Sequence, residues 1–124
     1  MSKKILITGG AGFIGHHLAR FILKSSDNES HLVLADNLTR GRMDDDFKNL
    51  LLDSRVSFIN CDLTEPDSLK QLGSGYDHVY HLAAMNGTRV FYEKPHEVLR
   101  VNTLSLIHIL DWFIEHEVEL IYDE

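Results

Sequence analysis

The chain has 124 residues, a formal net charge of −7, 44% hydrophobic and 25% charged residues. That length suits one domain burying roughly two-thirds of its unfolded surface, and the composition is that of a soluble globular protein. An acidic balance without a basic cluster excludes nucleic acid as the main partner, and no apolar run is long enough to span a bilayer, so the cytoplasm is the expected compartment.

Residues 5–8 form the first predicted strand, and the lysines before it leave no room for a signal peptide's apolar region. Gly9-Gly10-Ala11-Gly12-Phe13-Ile14-Gly15 follows, and the spacing of Ile14, Leu18, Phe21 and Ile22 predicts a helix over 13–24. A strand that breaks into glycines and restarts as a helix is the arrangement that seats a dinucleotide pyrophosphate. One glycine permits the tight turn, the next lets backbone approach phosphate, and the last lets helix pack close to strand. The helix points its free N–H groups and positive dipole end at the anion. After a polar turn over 25–30, residues 32–35 read as a second strand, short and apolar like one covered on both faces. Residues 37–46 read as loop, including the acidic triplet Asp44-Asp45-Asp46, for which nothing downstream offers a spaced metal-ligand set.

A short helix is expected over 46–52 and a third strand over 56–59. Cys61 is the only cysteine, so neither a disulfide nor a cysteine-based zinc site is expected. Thr64 is placed to cap a brief helix over 65–72 with Pro66 in its first turn, and Gly73 to Gly75 end it. Residues 79–82 read as a fourth strand, and 85–94 carry no assignment. The longest helical segment runs from 95 to about 116. Its apolar residues cover more than one face, so it should pack against the sheet and against something else. Residues 119–122 look like a fifth strand. The alternation predicts an α/β fold, a doubly wound parallel Rossmann-like sheet of about five strands with right-handed crossovers, in one dinucleotide-binding domain.

Asp36 falls at the carboxyl end of the second strand, where an acidic residue accepts hydrogen bonds from the adenosine ribose hydroxyls. A carboxylate there repels a 2′-phosphate and favours NAD over NADP, although Arg40 and Arg42 follow closely enough to receive one. The plainer alternative for Asp36 is a turn residue before Asn37. Asp62-Leu63 closes the third strand in the same edge position. It reads either as an adenine contact, with the carboxylate on the exocyclic amine, or as a cap or turn. His81-Leu82-Ala83-Ala84 ends the fourth strand, where small residues let a cofactor lie close and His81 reads as a core histidine rather than a catalyst.

Thr8-Gly9-Gly10-Ala11-Gly12-Phe13-Ile14-Gly15 resembles the cofactor loop of the extended short-chain dehydrogenases/reductases. Asp36-Asn37-Leu38, Asp62-Leu63, His81-Leu82-Ala83-Ala84 and Val101-Asn102 match further positions of that family, in order, over nearly the whole chain. Asp36-Asn37-Leu38 with Arg40-Gly41, and Tyr92-Glu93-Lys94-Pro95 before the long helix, look most like its nucleotide-sugar epimerases and dehydratases. The resemblance implies NAD held tightly and used transiently: hydride leaves a sugar carbon, the ketosugar epimerises or loses a group, and the hydride returns. It implies that Gly9, Gly12, Phe13, Ile14 and Gly15 hold the pyrophosphate, Asp36, Asn37 and Leu38 the adenosine ribose side, and Asp62 and Leu63 the adenine. Ala83, Ala84 and Met85 would line the cofactor's ribose and nicotinamide half. Asn102 would brace the strand ends from the long helix and help order the proton relay.

Two departures from the family pattern bear on function. Its glycine-threonine pair after the asparagine is Ser105-Leu106 here. Its base, a tyrosine four residues before a lysine that lowers the tyrosine's pKa, has no counterpart. Four residues after Tyr76, Tyr80 and Tyr92 stand Tyr80, Ala84 and His96, and none follows Tyr122 at that spacing. The expectation is a truncated NAD-binding portion without a substrate domain or turnover of its own, the nucleotide sugar being the substrate of a full-length relative. Apolar surface on the long helix, and the open sheet edge, should then drive self-association. The competing readings are a stand-alone dinucleotide-binding or sensor module acting through a partner, and a fragment of an NADPH-dependent reductase of the same superfamily.

Overall fold

The computed structural model describes residues 3–25, 29–38, 43–85 and 88–116. The elements run β1 (Lys4–Thr8), α1 (Phe13–Ser25), β2 (His31–Asp36), α2 (Asp45–Leu50), β3 (Val56–Asn60), a 3₁₀ segment (Pro66–Leu72), β4 (His78–His81), α3 (Thr88–Glu93) and α4 (Pro95–His116). The strands form one sheet in the order β3-β2-β1-β4, and every neighbouring pair is parallel. The chain winds outward from β1 to β2 and β3, then crosses back to place β4 on the other side of β1. Strand order therefore reverses at β1, and ligands bind at the carboxyl edge of such a switch point. Register brings Thr8 level with Ala35 and His81, and Asp36 level with Asn60, at that edge.

Each face of the sheet carries its own core, because side chains alternate along a strand. Leu6, Val33 and Ala35 pack with Leu63, Leu69, Leu72, Tyr76, Ile109 and Trp112 under α4. Ile5, Ile7, Leu32 and Leu34 pack with Ala19, Phe47, Leu50 and Val56 under α1 and α2. Burial on both faces explains why β1 and β2 read as continuous apolar runs rather than alternating ones. α4 buries Val98, Ser105, Ile109 and Trp112, and leaves Leu99, Leu106, Ile107, Leu110 and Ile114 exposed. Among the described residues no helix is long and apolar enough to cross a membrane.

Three local expectations change. The acidic triplet is not loop: Asp44 is the N-cap of α2, accepting the Phe47 N–H at 2.9 Å, and Asp45 and Asp46 fill the first turn. Negative side chains there meet the positive end of the helix dipole. Asp44→Ala should cost about 1 kcal/mol of stability, the usual value of an N-cap, as a shift in the urea midpoint at constant slope. Thr64 does not cap the next segment, whose N-cap is Glu65 without a side-chain bond. Its hydroxyl instead donates to Asp62 Oδ1 at 2.7 Å, and the segment winds as 3₁₀ rather than α. α3 forms in the stretch to which the sequence assigns nothing; it buries no residue, so it has no apolar periodicity to read. The expected strand over 119–122, and Arg40 and Arg42, lie outside the described residues.

Candidate functional site

The glycine loop is tied down from behind and open in front. Gly9 turns with φ of 69°, a conformation glycine adopts without a Cβ penalty, and the N–H groups of Gly9 and Gly10 both donate to Ala35 O, at 2.8 and 3.2 Å. Gly12 N–H donates to Gly9 O at 3.0 Å, and His16 N–H makes the first ladder bond of α1 to Gly12 O at 3.0 Å. The N–H groups of Phe13, Ile14 and Gly15 precede that bond, so helix geometry leaves them pointing forward as an anion site. A Cβ on Gly15 would strike Gly9 O and stand 2.9 Å from Gly10 Cα. A Cβ on Gly12 would meet only Gly9 O, at 3.2 Å, so a side chain there would project into open space.

Asp36 is held by backbone on two sides. Its Oδ2 accepts the Ala11 N–H at 3.0 Å and its Oδ1 accepts the Leu38 N–H at 2.7 Å. Each carboxylate oxygen has a second lone pair, which leaves acceptor capacity for a hydroxyl in the cleft. Leu38 takes φ of 64° to reach that bond, and its side chain packs on the core under α1 and α2. Asp62 shares this logic: Oδ1 accepts both the N–H and the hydroxyl of Thr64, at 3.0 and 2.7 Å, leaving Oδ2 to a donor in the cleft. The Asp62 N–H donates to Ser68 Oγ at 2.9 Å.

The opposite wall hangs on Thr8 and Asn102. Ala83 N–H donates to Thr8 Oγ1 at 3.1 Å, and that hydroxyl lies 2.8 Å from His81 Nδ1. Burial holds the His81 imidazole below its usual pKa, which favours the uncharged ring beside the Thr8 hydroxyl. Asn102 Oδ1 accepts the Met85 N–H at 2.7 Å, and its Nδ2 donates back to Met85 O at 3.0 Å.

These parts enclose a cleft of about 610 Å³ at the carboxyl edge of the sheet, within the range of small-molecule sites. Gly9, Gly12, Phe13, Ile14, Gly15, Asp36, Asn37, Asp62, Leu63, Ala83, Ala84 and Met85 line it. Of the residues expected from sequence to hold the cofactor, Leu38 and Asn102 do not line it: Leu38 is half-buried against the core, and Asn102 acts from behind through Met85. Cys61, Thr64, Leu82, Val101 and Ser105 also line the cleft, although the sequence gives none of them a part in holding the cofactor. Val101 and Ser105 could have been found by continuing the inward stripe of α4 from Val98. Burial pushes the Cys61 thiol pKa up and that of the Tyr76 phenol up to about 12, so neither is poised as a base or nucleophile. Tyr76 instead donates to Leu72 O at 2.6 Å inside the core.

A family model described as GDP-mannose 4,6-dehydratase matches residues 6–121. The chain belongs to this family. As a GDP-mannose 4,6-dehydratase family member it is similar to the UDP-N-acetyl-alpha-D-glucosaminuronate decarboxylase of Bacillus cytotoxicus, at 30% identity over 98% of this chain and 36% of that protein. Among solved structures it is similar to an epimerase of Methanothermobacter thermautotrophicus, with a TM-score of 0.79 and 26% identity over 94% of this chain and 33% of that one. It is also similar to the Bordetella bronchiseptica enzyme WbmF, solved in complex with NAD+, with a TM-score of 0.76 and 26% identity over 90% of this chain and 32% of that one. The chain spans about a third of the length of these family relatives. Its sheet is the Rossmann-like sheet of the extended short-chain dehydrogenases/reductases.

Proposed function

We propose that residues 1–124 are the NAD-binding portion of a nucleotide-sugar epimerase or dehydratase. The observation that carries this reading is the N-terminus of α1 facing the same cleft as the Asp36 carboxylate, with Ala11 N–H bonded to Asp36 Oδ2 between them. A dinucleotide presents a diphosphate flanked by vicinal ribose hydroxyls, and these groups answer both. The open side of Gly12 supports the fit, because the space a Cβ would enter is the space a phosphate needs. When bound, NAD supplies a carbon that accepts and returns hydride.

The chain's own residues bind and orient. The Phe13 and Ile14 N–H groups would receive the diphosphate, and Asp36 the adenosine ribose hydroxyls. Asp62 Oδ2 would take the adenine amine with Leu63 beside the ring, and Ala83 to Met85 would lie along the nicotinamide half. We further propose that the nucleotide sugar is the substrate of the whole protein and that residues 1–124 alone catalyse nothing, in keeping with the missing tyrosine-lysine pair. Titration should give weak binding of NAD, weaker binding of NADP, and no turnover of any nucleotide sugar. A clear preference for NADP would replace this reading with the reductase one, and tight NAD binding by a stable oligomer would replace it with the stand-alone module.

The exposed stripe of α4 supports self-association. Leu106 and Leu110 are 46% and 49% exposed and stand one turn apart on one helix face, with Leu99 and Ile114 extending the same stripe. Sedimentation should find a concentration-dependent dimer in which Leu110→Glu weakens pairing at least about tenfold, the cost of burying an unpaired charge. A chain that stays monomeric at high concentration would sink the proposal.

A further inference from the structure

Helix α4 reaches both walls of the cleft at once. Ser105 sits in the middle of its inward face, buried and lining the cleft. Asn102 and His108 stand three residues to either side. On an α-helix that puts each about 60° off the centre, on opposite flanks, and about 9 Å apart along the axis. Asn102 pairs with Met85 through both backbone groups, as a neighbouring strand would. His108 Nδ1 lies 2.7 Å from Leu63 O on the other wall. A carbonyl only accepts, so Nδ1 carries the proton in that contact.

Leu63 is the residue this contact holds, and it sits inside the turn that orients Asp62. Thr64 N–H reaches back to Asp62 Oδ1 at 3.0 Å, and Glu65 N–H to Asp62 O at 3.1 Å. Ser68 Oγ in the 3₁₀ segment accepts the Asp62 N–H at 2.9 Å, which leaves the Leu63 carbonyl to a partner on α4. Trp112, four residues beyond His108 on the same face, donates Nε1–H to Gly73 O at 3.2 Å, just past that segment. α4 thus grips this wall at both ends, before the 3₁₀ segment through His108 and after it through Trp112.

We propose that His108 is a positioning residue for the adenine end of the cleft. Its Nδ1–H fixes the Leu63 carbonyl and thereby holds the Asp62 carboxylate and the Leu63 side chain where an adenine would lie, as Asn102 holds Met85 at the other end. The ligand's identity rests on the NAD reading above, whereas the brace belongs to the free chain and is tested separately.

The test uses H108L, H108N and N102A in the full chain. Leucine removes the donor at similar bulk, whereas asparagine offers an N–H the same number of bonds from the backbone. Amide exchange of the free chain comes first. H108L should speed exchange at Asp62, Thr64 and Glu65 by about 3- to 10-fold, the worth of one net hydrogen bond, and spare Met85. N102A should do the reverse, and H108N should restore protection near Leu63. ADP and NAD titrations come second: H108L should weaken both by one common factor, because the two ligands share the adenine half, and H108N should recover most of the loss. Uniform acceleration along the H108L chain, ADP affinity that does not move, or H108N behaving like H108L would overturn the proposal. Should H108L unfold outright, H108N decides: ADP affinity near wild type supports the brace and its loss refutes it. Failure of the unsubstituted chain to bind either ligand would refute the NAD reading, and the exchange pattern would still decide the role of His108.

Discussion

Gly15→Val is expected to abolish cofactor binding and to cost about 3 kcal/mol of stability, the upper end of ordinary overpacking, whereas Gly12→Val loses the cofactor and keeps the fold. The difference lies in what each new Cβ meets. At position 15 it runs into Gly9 O and stands 2.9 Å from Gly10 Cα and 3.1 Å from Gly9 C, all backbone. Backbone cannot rotate away as a side-chain end can, and this backbone is tethered to Ala35 O through Gly9 and Gly10. α1 would have to retreat from β1, taking the forward-pointing N–H groups with it. At position 12 the only neighbour is Gly9 O at 3.2 Å, so valine fits with a small adjustment and fills the phosphate's place. Urea unfolding and NAD titration of the two variants separate the effects. NAD affinity undiminished in Gly12→Val would mean that the glycine loop is only a turn.

Asp36→Ala should lower stability by about 2–4 kcal/mol and NAD affinity by at least about tenfold. The stability loss follows from the two backbone donors the carboxylate satisfies. Asp36 is only 9% exposed, and removing it strands the Ala11 and Leu38 N–H groups, at about 1–3 kcal/mol each for a buried unsatisfied donor. Leu38 also loses the bond that holds it at φ of 64°, a costly conformation for a non-glycine residue. The affinity loss follows from the ribose hydroxyls left without their acceptor. Asp36→Asn keeps the size, removes the charge, and turns one acceptor into a donor facing a backbone N–H. It should fall between wild type and alanine in stability and narrow the preference for NAD over NADP, because repulsion of a 2′-phosphate goes with the charge. Unchanged stability in Asp36→Ala would show that water replaces the carboxylate at no cost.

The fold's strands and its two long helices are legible where one pattern dominates. The switch from an apolar run to helical spacing across Gly9 to Gly15 marks both the β1–α1 unit and the site. Asp36 stands out because it closes an apolar run, and Asp62 because it follows the third strand by two residues, and in a parallel sheet every strand's carboxyl end reaches the same edge. The illegible parts depend on choices that sequence leaves open. Asp44 to Asp46 suit a solvated loop and a helix N-terminus equally well, and only the anchoring of Phe47 in the core decides between them. Thr64 suits a cap or a bond back to Asp62, since the same short side chain makes both. α3 buries nothing and leaves no pattern. Ser105 and His108 gain their contacts only once α4 lies across the sheet edge, where Ser105 lines the cleft and His108 Nδ1 meets Leu63 O.

A backbone-amide NMR titration of residues 1–124 with NAD tests the central claim most directly, since it registers even millimolar binding residue by residue. Shifts are expected at Gly12 to Gly15, Asp36, Asp62 to Thr64 and Ala83 to Met85, with Leu106 and Leu110 on the outward face of α4 unmoved. A folded chain whose amides do not respond at saturating NAD, or whose shifts fall away from the carboxyl edge of the sheet, would contradict the assignment of this cleft to the cofactor.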